Sequence, residues 1–254
     1  MTAHPRIDPE TGEMFFFGYE ADGFCSKTIS YCIADKAGNL VSEQFFDAPY
    51  ASLVHDFVIT QHYVVFPLFP TIANAERCEA GSLHFLHDQH QPSWLGIMPR
   101  YGNVADMQWL KGPEGVSGFH HMNAFEDDAG RIHIDICLYE TVFFDFIRYP
   151  SGINKAMPEI GGALTRWTID PNDLAKGIES RVLGPMGDMP RIRDQDQGRP
   201  YKQGWYLCYN PAGGPPLFGG PLGATVNQLM RIDLDSGAVD CLLLPPGHAI
   251  NEPV

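Results

Sequence analysis

Apolar residues in this chain fall in short runs, filled by aromatic and β-branched side chains and separated by dispersed glycine and proline. That is how a many-stranded β protein punctuates itself. One motif recurs four times: a strand-like run enters a turn that opens on Asp and closes on Gly, and a second run leaves it. The turns are Asp8 to Gly12 before Glu13-Met14-Phe15-Phe16-Phe17, Asp35 to Gly38 before Asn39-Leu40-Val41, Asp127 to Gly130 before Arg131-Ile132-His133-Ile134-Asp135-Ile136, and Asp233 to Gly237 before Ala238-Val239-Asp240-Cys241-Leu242. Asp supports a turn through its side chain and Gly accepts positive φ, so each reads as a β-hairpin. Hairpins in series, with little amphipathic helical pattern between them, predict an all-β fold: a sandwich, a barrel or a propeller. Thr168 to Gly177 reads either as a short helix capped by Asp170 or as a loop. The Gly/Pro-rich stretch Pro211 to Gly223 reads as a long connection, and it lacks the Gly-Lys-Ser/Thr ending of a phosphate-binding loop.

The length of 254 residues and the 44% hydrophobic content suit a globular protein with a packed core. A net charge of −14 repels phosphate backbones and anionic lipid surfaces, which argues against nucleic acid as a partner. The six cysteines, Cys25, Cys32, Cys78, Cys137, Cys208 and Cys241, never form a Cys-x-x-Cys pair, so neither a zinc knuckle nor a thioredoxin-like motif is indicated. Reduced thiols in a cytoplasm are the expectation. No window has the apolar length of a transmembrane helix, and no basic segment leads into an apolar signal region.

Among ten histidines, most need only ordinary roles. His84, His87 and His90 are spaced like a helical metal face, but Pro92 and the strand-like residues before them favour a polar turn. His62, His133 and His248 are isolated and read as surface or satisfied core residues. His4 precedes Pro5, which favours extended backbone. His55 opens the apolar run Asp56-Phe57-Val58-Ile59-Thr60, where an imidazole needs a partner. His120 and His121 are adjacent on a strand and point to opposite faces, so at most one can face a shared centre.

Several segments together resemble the carotenoid cleavage oxygenases, a family that includes the lignostilbene dioxygenases. Thr2-Ala3-His4-Pro5-Arg6-Ile7-Asp8-Pro9-Glu10-Thr11-Gly12-Glu13 is similar to that family's first ligand segment, and His55-Asp56-Phe57-Val58-Ile59-Thr60 to its second. Phe119-His120-x-x-Asn123-Ala124-x-Glu126 matches the third and selects His120 over His121. Pro92 to Arg100, Met189-Pro190-Arg191-Ile192 and Glu252-Pro253-Val254 extend the likeness along the whole chain in the family's order. The resemblance implies a seven-bladed β-propeller with one Fe(II) held by four histidines, of which His4, His55 and His120 are three. It implies cleavage of a C=C double bond of an apolar conjugated substrate, stilbene-type or apocarotenoid, by O2 to give two carbonyl products. It also implies outer carboxylates that fix the ligand imidazoles, here Asp188, one methylene shorter than the family's Glu, and Glu252. Asp188 is expected beside His120.

The family carries a fourth histidine beyond its Glu-Pro pair and blades before its first ligand segment. Residues 1–254 are therefore expected to form part of a propeller about twice as long, lacking N-terminal blades and the strand with the fourth histidine. The competing expectation is a truncated, inactive propeller segment acting as a binding or assembly module. No Gly-x-Ser-x-Gly elbow or paired carboxylates support a hydrolase or lyase.

Overall fold

The strand-forming runs pair into antiparallel sheets in a computed structural model that describes residues 2–144, 147–149, 152–153, 155, 159–214, 226–250 and 252. The first sheet is the meander β1 (Arg6–Ile7), β2 (Met14–Gly18), β3 (Thr28–Ala34) and β4 (Leu40–Asp47). The second joins β5 (Val58–Ile59), β6 (Tyr63–Leu68), β9 (Pro92–Pro99) and β10 (Gln108–Glu114), with the small pair β7 (Thr71–Ala73) and β8 (Phe85–His87) inserted after β6. The third is β11 (Ser117–Glu126), β12 (Ile132–Tyr139), β13 (Gly162–Ile169) and β14 (Glu179–Pro185). The fourth is β15 (Asp188–Arg191), β16 (Gln203–Cys208), β17 (Gln228–Asp233) and β18 (Val239–Leu243). The all-β expectation thus holds across the described residues.

All four Asp-to-Gly turns join paired strands. At each, the Asp carboxylate accepts backbone N–H bonds inside the turn, as Asp35 Oδ1 does from Ala37 and Asn39, while the closing Gly sits at positive φ. Three other expectations need correction or refinement. In Thr168 to Gly177, β13 pairs with β12 as far as Ile169, which leaves room only for a single 3-10 turn at Leu174–Lys176. Asp170 does not cap that turn; it accepts from Asn172 N–H and from Lys176 Nζ. The expected polar turn at His84 to His90 is partly strand, because Phe85–His87 pairs with β7 and buries His87. The one-turn helix α1 (Ala75–Glu79), capped by Asn74, has no amphipathic stripe and was not expected. Of the Gly/Pro-rich stretch, Pro211–Gly213 is a 3-10 turn, and 215–223 lies outside the described residues.

The sheets stack face to face in chain order, each interface filled by one apolar cluster. Phe15, Phe17, Ile29 and Tyr31 of the first sheet meet Phe66, Leu68 and Met98 of the second. Val65, Leu95 and Ile97 meet Ile132, Ile134, Ile136 and Trp167 of the third. Phe125, Cys137 and Leu164 meet Tyr206, Met230 and Ile232 of the fourth. Within each sheet the first strand is short or largely buried, whereas the last strand (β4, β10, β14 or β18) is mostly exposed. The first strands β5, β11 and β15 lie side by side, and this is where the functional residues gather. No helix among the described residues is long and apolar enough to cross a membrane.

Candidate metal centre

Each of the four sheets brings one residue to the same place, from within its first strand or from the segment just before it. His4 lies in a bend two residues before β1, His55 in an irregular segment three residues before β5, His120 within β11, and Asp188 at the start of β15. His4 and His55 therefore occupy irregular backbone, although their sequence context read as strand. Thr2 fixes both segments: its N–H donates to Phe17 O, its Oγ1 accepts from His4 N–H at 3.1 Å, and its hydroxyl reaches His55 O at 3.4 Å. Near His120 the β11–β12 register shifts between Gly118 and His121, re-aiming the side chains as a bulge does. His120 and His121 consequently face opposite ways, His120 inward and His121 toward Asp56.

The three imidazoles converge through their Nε2 atoms. His55 Nε2 lies 2.9 Å from His4 Nε2 and 3.0 Å from His120 Nε2. The ring centroids form a nearly equilateral triangle with sides of 4.8, 4.8 and 4.7 Å. With all three rings neutral, one proton on His55 Nε2 cannot serve both neighbours, so this packing leaves at least one nitrogen pair unsatisfied. A cation at the common point resolves the conflict. For metal–nitrogen bonds of about 2.1 Å, ligands at right angles lie roughly 3.0 Å apart, which agrees with the observed separations. The donor set of three imidazoles fits a first-row divalent ion.

Carboxylates fix the rings from behind. His120 Nδ1 donates to Asp188 Oδ1 at 2.8 Å, which leaves Nε2 as the lone-pair side of the neutral ring. Asp188 also accepts Met189 N–H, so it both turns the chain and orients the imidazole. Glu252 Oε1 lies 3.7 Å from His4 Nδ1 and 4.0 Å from His120 Nε2, within ionic reach but beyond hydrogen bonding. Burial, followed by the neighbouring His120 and His4, pushes the His55 pKa down to about 3, keeping the ring neutral and able to ligate. Burial likewise lowers His4. Burial also opposes charge on His120, but the adjacent Asp188 carboxylate outweighs it and raises that pKa.

The sequence reading missed a brace that joins the three ligand segments. Arg6, Asp56 and His121 each lie within two residues of a ligand histidine. Arg6 Nη2 binds both Asp56 carboxylate oxygens at 2.6 and 2.7 Å, and Arg6 Nε donates to Phe57 O at 2.9 Å. Asp56 Oδ2 accepts His121 N–H at 2.9 Å and faces His121 Nδ1 at 3.2 Å. Burial drives the Asp56 carboxyl up, but Arg6 and His121 overcome it and hold the group well below the ordinary carboxylate range. Only the Asp56 and Arg6 charges hinted at this, because the partners are 50 and 65 positions apart. A second unanticipated feature is an apolar wall. Phe119 stacks on His55 with centroids 3.8 Å apart, and Phe143 and Phe144 stand beyond it at 6.2 and 5.3 Å.

Comparison with known proteins places the chain. The family model described as retinal pigment epithelial membrane protein matches residues 1–254. Lignostilbene-α,β-dioxygenase isozyme III of Sphingomonas paucimobilis is 34% identical over 267 residues, covering 99% of this chain and 52% of the relative. Isoeugenol monooxygenase of Pseudomonas nitroreducens is 37% identical over 193 residues, 74% of this chain and 39% of the relative. Among solved structures, Pseudomonas brassicacearum lignostilbene dioxygenase superposes with a TM-score of 0.89 at 34% identity, covering 99% of this chain and 52% of that one. Cobalt-substituted apocarotenoid oxygenase of Synechocystis gives a TM-score of 0.78 at 25% identity, covering 100% and 52%. The chain thus spans about half the length of the curated relatives it matches. On a match that runs its whole length, this chain belongs to the retinal pigment epithelial membrane protein family, the carotenoid cleavage oxygenases.

Proposed function

We propose that the protein is a non-haem Fe(II) dioxygenase that cleaves a C=C bond of an apolar conjugated substrate, adding both atoms of O2 to give two carbonyl products. The observation that carries this reading is the convergence of His4, His55 and His120, with His55 Nε2 at 2.9 and 3.0 Å from the other two and all three ligand atoms within 4.8 Å of one another. His4, His55 and His120 would hold the metal, which supplies activation of O2 toward the alkene. The names of the relatives, lignostilbene dioxygenase, isoeugenol monooxygenase and resveratrol cleavage oxygenase, favour a stilbene-type phenylpropenoid over a long polyene.

The chain's own residues have definable tasks in this scheme. Three neutral imidazoles leave the ion's dipositive charge intact, since none of them contributes an anion. Asp188 keeps the His120 proton on Nδ1 and its lone pair on the metal side. Glu252, half exposed and near His4, would do the same for that ring after a small approach. Phe119, Phe143 and Phe144 present an apolar surface beside His55, suited to holding a flat conjugated substrate and excluding water.

The architecture supports a seven-bladed propeller in which these four sheets are blades, their first strands nearest the axis and their last strands on the rim. Residues 1–254 would then make up part of the ring and supply three of the four histidine ligands. Iron reconstitution under anaerobic conditions, followed by O2 uptake with a hydroxystilbene, tests the activity. The expected result is one aldehyde pair per O2 consumed. No oxygen uptake by iron-loaded protein would leave a metal-binding module in place of an enzyme.

A further inference from the structure

A second cluster of ligand-type side chains lies apart from the three imidazoles. The β2–β3 loop carries Glu20 and Cys25, and the segment from α1 to β8 carries Cys78 and His84. The ligand atoms of Glu20, Cys25 and His84 all lie within 4.8 Å of one another. Glu20 Oε1 is 2.7 Å from His84 Nε2 and accepts Cys25 N–H at 2.9 Å. The His84 ring is clamped between Phe24 and Phe85, at centroid distances of 4.7 and 4.0 Å, so its Nε2 is aimed rather than free to rotate. Arg77 orders the segment that presents it, donating to Leu83 O at 2.8 Å and to His84 O at 2.6 Å. Cys78, in α1, donates toward Leu83 O at 3.9 Å and lies outside this ligand group.

We propose that Glu20, Cys25 and His84 form a second metal site, selective for zinc. One thiolate, one imidazole and one carboxylate make a three-ligand set of borderline softness, with water as the fourth ligand, which suits tetrahedral Zn(II) better than the all-imidazole triad does. Binding would release the Cys25 thiol proton, with no change of oxidation state, and leave a site of net charge zero. The metal would tie the β2–β3 loop to the α1–β8 insertion, a structural role separate from the dioxygenase reading and independent of it. The sequence could not show this site, because Glu20 and His84 are 64 positions apart and no Cys-x-x-Cys pair marks it.

The test is a titration of reduced, metal-free protein with Co(II), with Zn(II) then used as displacer. Thiolate-to-cobalt charge-transfer absorption is expected in the wild type and in His55→Ala, is lost in Cys25→Ser, and disappears when zinc is added. Zinc stoichiometry should fall by one equivalent in Cys25→Ser and in His84→Ala. Cobalt in the imidazole triad gives no thiolate band, so the two sites report separately. Absence of that band from the wild type would overturn the proposal whether or not the variants fold, as would its survival in Cys25→Ser.

Discussion

Asp56 shows how little of a metal centre resides in its ligands. It is 2% exposed, carries charge, and connects the chain next to His55 with the chain next to His4 and His120. Removing one partner of a buried ion pair leaves the other charge uncompensated, at a cost of about 3–5 kcal/mol. Asp56→Asn is therefore expected to lower stability by that order in chemical denaturation and to weaken iron binding, although it touches no ligand nitrogen. Asp188 acts directly behind a ligand. Asp188→Asn should reduce iron affinity by roughly 10–100-fold in a competition titration, and Asp188→Glu should retain most of it. His87 makes a separate pH prediction, away from the centre. It is 1% exposed, accepts from Thr71 Oγ1 and donates to Gly115 O, and burial holds its pKa below the ordinary 6.5. The unfolded chain takes up a proton that the folded protein resists, so His87 stabilises fully above about 6.5 and progressively less as pH falls below it. Melting temperatures at neutral and mildly acidic pH should drop less for His87→Gln than for the wild type. At this scale the resemblance carried in His4, His55, His120 and Asp188 made the candidate site legible. The Arg6–Asp56–His121 brace was not, because hydrogen bonds across 50 or 65 positions leave no local pattern.

Elements were legible where turn chemistry was local. Asp35 to Gly38 shows why: Asp side chain, positive-φ Gly and both strands lie within one short segment, and the hairpin forms as that chemistry requires. β8 was misread because its strand character comes from pairing with β7, a long-range contact, while the letters from His87 to Gln91 beside it are polar. β5 shrank to Val58–Ile59 although the apolar run is longer, because Asp56 and Phe57 are engaged with Arg6. A glycine at an element junction offers a sharp test. A Cβ on Gly187 would lie 2.4 Å from Tyr206 Cδ2 and 2.5 Å from the backbone oxygen of Leu207, which pairs with Asp188. Gly187→Ala must displace β15 from β16, costing about 1–3 kcal/mol, and the shift carries Asp188 away from His120. Denaturation should show the loss of stability, and iron affinity should fall with it, whereas Gly130→Ala, in an open turn, should lose stability alone.

For the whole molecule, the order of the sheets explains why residues as distant as His4 and Asp188 meet. Face-to-face stacking in chain order brings each first strand to one locus, and the apolar clusters between sheets hold that arrangement. The antiparallel sheets could be inferred from the hairpins; their mutual placement could not, since hydrophobic alternation shows that a face is buried but not what it is buried against. The central claim is that this placement makes a single-ion site out of His4, His55 and His120. Anomalous diffraction at the iron edge, from crystals loaded with Fe(II) without oxygen, tests it most directly. One peak is predicted about 2.1 Å from all three Nε2 atoms. Iron bound elsewhere, with the three imidazoles still packed against one another around an empty centre, would contradict it.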